Sequence, residues 1–143
     1  MDSAFLTQRG FKKLDTFRRL STADLNKYKT ILTKTGVYIF AAERKFNRLN
    51  GKTDILYIGQ SGGARHGKQR VAYLRMRDYF IGSESAPQDN RIHNTLEGLL
   101  RQNKKIVLLF KGVNAKKCKA YEGELLKKFG KEHLELPPLN RQG

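Results

Sequence analysis

Gly36-Val37-Tyr38-Ile39-Phe40 and Asp54-Ile55-Leu56-Tyr57-Ile58-Gly59 are the two stretches that decide the fold of this 143-residue chain. Both are runs of β-branched and aromatic residues, which suit a pleated and half-buried surface, and each predicts a strand. The polar segment from Glu43 to Thr53 lies between them and carries Asn50-Gly51, the pair best suited to two successive positive-φ positions. A hairpin is expected, with the strands antiparallel.

Working outward, Ser21 and Thr22 offer a helix N-cap, with Asp24 three residues after Ser21, and Leu25, Tyr28 and Leu32 recur at helical spacing up to Gly36. Residues 1–34 are therefore expected to form an N-terminal helical extension to a domain spanning 35–143. After the glycine-rich loop from Gln60 to Gly67, Val71, Leu74, Met76 and Tyr79 predict a helix. Asp89 or Asn90 can cap a second one, with Ile92, Leu96, Leu99 and Leu100 as its apolar stripe. Ile106 to Phe110 reads as a buried strand. The last helix runs from an Asn114 cap to a Gly130 stop, with Cys118, Tyr121, Leu125 and Phe129 on one stripe, and Pro137-Pro138 ends regular structure. The expected fold is α/β of the α+β kind, a small three-stranded antiparallel sheet flanked by helices.

The length fits a single domain, and 38% apolar residues suffice for one core. No apolar run approaches the roughly 18 residues that a membrane helix needs, and Met1 to Leu20 mixes charged and apolar residues where a signal peptide needs an apolar block. The expected location is intracellular, cytoplasmic if the source is prokaryotic or a phage. A lone Cys118 excludes an intramolecular disulfide and a multi-cysteine zinc site, and reads as a small core residue.

Against 13 acidic residues stand 29 Lys and Arg, a formal net charge of +16, and such a field attracts a polyanion. The segment from Ile55 to Arg77 contains no acid and holds Arg65, Lys68, Arg70, Arg75 and Arg77, the first candidates for phosphate contact. A solvated basic face that only maintains solubility has the same composition.

Glu122 is the anomaly of the last helix. It stands four residues after Cys118 and three before Leu125, on the stripe that faces the protein, whereas Glu124 projects roughly 200° around the helix and can sit in water. A half-buried carboxylate there is either ion-paired to an arginine or bound to a hard cation such as Mg²⁺.

Gly36-Val37-Tyr38 and Tyr57-Ile58-Gly59 set two tyrosines, each with a glycine of its own alternation parity, on the paired strands. Here the chain resembles the GIY-YIG nuclease family, whose two strand motifs appear as GVY and YIG. The likeness continues from about Thr35 to Asn140. The family places an arginine on the helix after the second motif, a glutamate on a later helix and an asparagine near the end of the domain. Arg70, Glu122 and Asn140 fit that order, with Tyr121-Glu122-Gly123-Glu124-Leu125-Leu126 resembling the glutamate helix and Pro137-Pro138-Leu139-Asn140 the closing segment. Arg70 precedes Val71 as in many members. Arg75 is the alternative, with Tyr79 four residues on, where members often carry His or Tyr. Residues 39–56 separate the two tyrosines more widely than is usual, and Gln60 stands where some members have lysine.

The resemblance implies a metal-dependent endonuclease that hydrolyses DNA phosphodiester bonds. Tyr38 would act as general base with Tyr57 orienting the water or sharing the role, Arg70 would hold the phosphate, and Glu122 would ligate Mg²⁺ or Mn²⁺. Asn140 would position, donating to the phosphate or to a backbone carbonyl near the metal. Because an ordinary tyrosine ionises near 10, the cations around Tyr38 are expected to bring its phenol down, giving an alkaline optimum. Restriction- or phage-type cleavage of double-stranded DNA is expected, with a homodimer on the DNA and residues 1–34 aiding DNA contact or dimerisation. The alternative is a non-catalytic nucleic-acid-binding module, for DNA or RNA, in which Glu122 is a salt-bridge partner.

Overall fold

The computed structural model describes the chain except for Gly63, His66, Gly67, Arg70, Ser83, Glu84, Gln142 and Gly143, and for Ala64, Arg65, Lys68 and Gln69 describes the backbone alone. The elements in chain order are α1 (Ser3–Gln8), β1 (Lys12–Phe17), α2 (Thr22–Asn26), α3 (Lys29–Leu32), β2 (Gly36–Asn47), β3 (Lys52–Gln60), β4 (Ala64–Arg65), β5 (Lys68–Gln69), α4 (Ala72–Ile81), α5 (Pro87–Arg101), β6 (Ile106–Gly112) and α6 (Ala115–His133). The main sheet is antiparallel, in the order β1-β6-β2-β3, and β4 and β5 form a small separate ribbon. Among the described residues, no helix is long and apolar enough to cross a membrane.

Two apolar clusters account for this arrangement. Val37, Ile39 and Ala41 on one face of β2 pack with Ile55, Ile58 and Leu109, with Leu6 of α1 and with Leu125, Leu126 and Phe129 of α6. Tyr38 and Phe40 on the other face pack with Tyr57, Leu108 and Phe110 against α2 to α5, through Leu25, Leu32, Met76, Tyr79, Ile92 and Leu96. The apolar run of β2 is continuous because both of its faces are covered. The sheet is a middle layer between α1 with α6 and α2 to α5.

The sheet has four strands where three are expected. The extra strand comes from the segment expected to be a helical extension: β1 pairs with β6 from Lys12 opposite Phe110 to Phe17 opposite Ile106, and Phe17 meets Phe80 edge-on at 5.0 Å. Leu6 and Phe11 are also buried, so residues 1–17 are part of the core. Lys12 and Lys13 at its start are exposed, as suits an edge strand. The expected helix after Ser21 is two short ones; the Ser21 hydroxyl does cap the first, accepting from Asp24 N at 3.4 Å.

The hairpin forms as expected, but its strands run much further into the polar segment, with Asn47 opposite Lys52. Of the Asn50-Gly51 pair only Gly51 has positive φ, at 72°. The helix starting near Asp89 instead begins at Pro87, whose missing N–H costs nothing in a first turn, leaving Asp89 within that turn. Asn114 caps α6 through its side chain, accepting from Lys116 N at 3.0 Å. Gly130 does not stop α6. The helix continues to His133, and its end is held by the hairpin tip: Asn50 Nδ2 donates to Glu132 O at 2.7 Å, Asn50 N to His133 O at 3.1 Å, and His133 Nδ1 to Asn50 O at 2.8 Å.

Candidate active site

Tyr38 and Tyr57 lie on the same sheet face, because Tyr38 pairs with Gly59 and Phe40 with Tyr57 across β2 and β3. Tyr79, on the inward face of α4, meets both. Its hydroxyl is 2.8 Å from the Tyr38 hydroxyl and 3.3 Å from that of Tyr57, and Arg75 Nη2, one turn earlier on α4, donates to it at 2.9 Å. A phenol oxygen has one proton and two lone pairs. With Arg75 on one lone pair, Tyr79 accepts from one of the other phenols and donates to the other, so three hydroxyls and a guanidinium form one chain.

Burial sets the protonation of that chain. The Tyr38 phenol is pushed well above the usual tyrosine value, first by burial and then by the neighbouring Tyr57, and Arg75 pulls it back only in part. Burial and Tyr79 raise Tyr57, and burial and Tyr38 raise Tyr79. Among the described residues, desolvation outweighs the pull of Arg75 on Tyr38; the expected contribution of Arg70 lies outside them. Tyr38 is fully buried, while Tyr57 keeps a small exposed surface and feels the charge of Glu122.

Among the described residues, Arg75 is the arginine that reaches the phenols. Its guanidinium lies over the Tyr79 ring, with Cζ 5.5 Å from the centroid, and Nη2 is 3.7 Å from Asp89 Oδ1 on α5. Arg70 lies outside the described residues, as do the side chains of Arg65 and Lys68 in the β4–β5 ribbon. Arg77 is exposed on α4.

Glu122 on α6 is half-buried and Glu124 exposed, as the stripe predicts. Glu122 makes no ion pair or hydrogen bond with any described residue. Burial raises its carboxyl above the usual range, against the pull of Arg75 and Lys119. A desolvated carboxylate is a group that a hard cation or a further basic side chain would satisfy. Among the described residues no cluster of three or more His, Cys, Asp or Glu converges. Mg²⁺, which keeps most of its waters and needs only one or two carboxylates, is an ion that Glu122 could hold.

Asn140 bonds the edge strand through both ends of its amide. Oδ1 accepts from Ile58 N and Nδ2 donates to Ile58 O, both at 2.9 Å, so it clamps β3 between Tyr57 and Gly59. Arg91 Nη2 on α5 holds the same closing segment by donating to Leu139 O at 2.6 Å.

Tyr79 and Asp89 belong to the cluster and were not among the expected site residues. Tyr79 could be found from its i, i+4 spacing to Arg75, and Asp89 from its place on the Ile92 and Leu96 stripe. Compared with family models, curated proteins and solved structures, the chain returns no match.

Proposed function

We propose that this chain is a metal-dependent endonuclease that hydrolyses phosphodiester bonds of double-stranded DNA. The observation that carries the reading is the convergence of three hydrogen-bonded phenols and Arg75 with the half-buried Glu122, which has no ion pair or hydrogen bond among the described residues. The formal charge of +16 supports a polyanionic substrate.

Glu122 would hold Mg²⁺ or Mn²⁺. A divalent cation bound there supplies positive charge to stabilise the leaving 3′ oxygen. Arg75, not Arg70, takes the phosphate role in this reading, donating to a non-bridging oxygen more strongly as negative charge develops. The base is the phenol chain acting as a unit. Tyr57, its least buried oxygen near Glu122, receives the proton of the attacking water when the chain is ionised. Before that transfer Tyr79 and Tyr38 share the phenolate charge through their hydrogen bonds and Arg75 offsets it; after it the three phenols are neutral. Asn140 acts by clamping the strand that carries Tyr57. Two copies on the duplex would cut both strands.

Incubating supercoiled plasmid with the protein and Mg²⁺, with and without chelator, tests this. Nicking or linearisation is expected, abolished by chelator and by Glu122→Ala, and lowered about 100-fold or more by Arg75→Ala. Binding without cleavage at any pH would overturn the nuclease and leave the nucleic-acid-binding module that the net charge alone supports.

A further inference from the structure

Asp89 is the one buried carboxylate among the described residues, and it faces a cation on a different helix. A carboxylate out of water is costly unless paired, and Arg75 is the only described cation within ion-pair distance of it. The pair is 3.7 Å apart, with the Asp89 side chain 12% exposed and that of Arg75 28% exposed. Tyr79 and Asp89 both address the same terminal nitrogen of Arg75, Nη2, and the ring of Tyr79 lies beneath the guanidinium. Tyr38 also lies close enough to interact with the guanidinium, while the contacts to Tyr79 and Asp89 both fall on Nη2. A guanidinium is a rigid planar fork, so holding one of its nitrogens sets the direction of the rest. Glu122 also feels Arg75 but is not within ion-pair distance. An unanchored Arg75 could swing to that carboxylate and neutralise both groups.

We propose that Asp89 is a positioning residue: it anchors Nη2 of Arg75 together with Tyr79, keeps the guanidinium off Glu122, and so directs the remaining N–H groups of the fork to a phosphate oxygen. The anchoring is a property of the free protein, and its catalytic consequence rests on the nuclease reading above. Asp89 itself touches no substrate.

The test has two readouts on full-length protein. The first is side-chain ¹⁵N NMR of the guanidinium groups without metal or DNA, with Arg75 assigned by Arg75→Lys. Wild type is expected to show two resolved, slowly exchanging Nη signals for Arg75, which merge in Asp89→Asn and separate again in Asp89→Glu. Unchanged Arg75 signals in Asp89→Asn overturn the proposal. If Asp89→Asn does not fold, the same comparison is made between wild type and Asp89→Glu, whose longer side chain must shift the Nη signals. The second readout is plasmid nicking. Asp89→Asn is expected to lower kcat between about 10-fold and 100-fold, the scale for a misplaced catalytic group, with KM nearly unchanged. It should add nothing in an Arg75→Ala background, and a fully additive loss there also overturns the proposal. Merged Nη signals in a series whose wild type never nicks DNA would support the anchoring and overturn the nuclease reading instead.

Discussion

Tyr38 on β2 stands directly across from Gly59 on β3, and a Cβ on Gly59 would sit 2.5 Å from its ring and 2.7 Å from its hydroxyl. The glycine of the second strand motif is thus the seat of the tyrosine of the first. Because the ring lies flat across that bare backbone, its hydroxyl reaches Tyr79. Gly59→Ala must displace the ring or the strand, and we expect a loss of about 1–3 kcal/mol by denaturant unfolding together with a marked fall in nicking. Wild-type stability and activity in Gly59→Ala would refute the seating.

The buried phenols make the fold sensitive to alkali. Tyr38, Tyr57 and Tyr79 ionise later in the folded protein than in the unfolded chain, so their contribution is complete below the unfolded value near 10. It falls as pH rises above that value, because the unfolded state then binds fewer protons. Denaturant midpoints measured between pH 8 and 11 should drop above about pH 10, less steeply in Tyr38→Phe.

Catalysis should run in the opposite sense to stability. With the phenol chain neutral at pH 7, the nicking rate should rise steadily from pH 7 to 10 as its ionised fraction grows. A rate independent of pH over that range would remove the phenols from the base role.

Glu122 separates a ligand from a structural ion pair. Its carboxyl is raised in the folded protein, so just above the ordinary glutamate value ionisation costs stability, and Gln removes that cost. Glu122→Gln should melt no lower than wild type at pH 7 while losing nicking. Mg²⁺ should raise the Tm of wild type and leave that of the variant unchanged, which differential scanning fluorimetry can measure. A variant that melts well below wild type would mean that Glu122 serves the fold.

The first strand is expected to be indispensable. Phe17 is buried against Phe80, and Phe17→Ala should cost about 3–5 kcal/mol in a denaturant titration. Deleting residues 1–17 uncovers the β6 edge and removes Leu6, Phe11 and Phe17 from the core, so the shortened chain should show no cooperative unfolding. A sharp transition for the fragment would restore a self-sufficient domain beginning near residue 35.

Local chemistry was legible in the order of residues. The apolar runs around Tyr38 and Tyr57, the Ser21 and Asn114 caps and the inward stripe carrying Glu122 all depend on neighbours a few positions away, and each stands where its spacing puts it. Partners distant along the chain decided the rest. Lys12 to Phe17 is a weak strand by composition and becomes one through its ladder with β6. The end of α6 passes Gly130 because Asn50, far away in the chain, satisfies its last carbonyls. The contact of Arg75 with Tyr79 and its pairing with Asp89 came from packing α4 against α5 and the sheet. The ionisation of Tyr38 likewise followed from how completely the helices cover it, because desolvation depends on every atom that displaces water and not on the nearest residues in the chain.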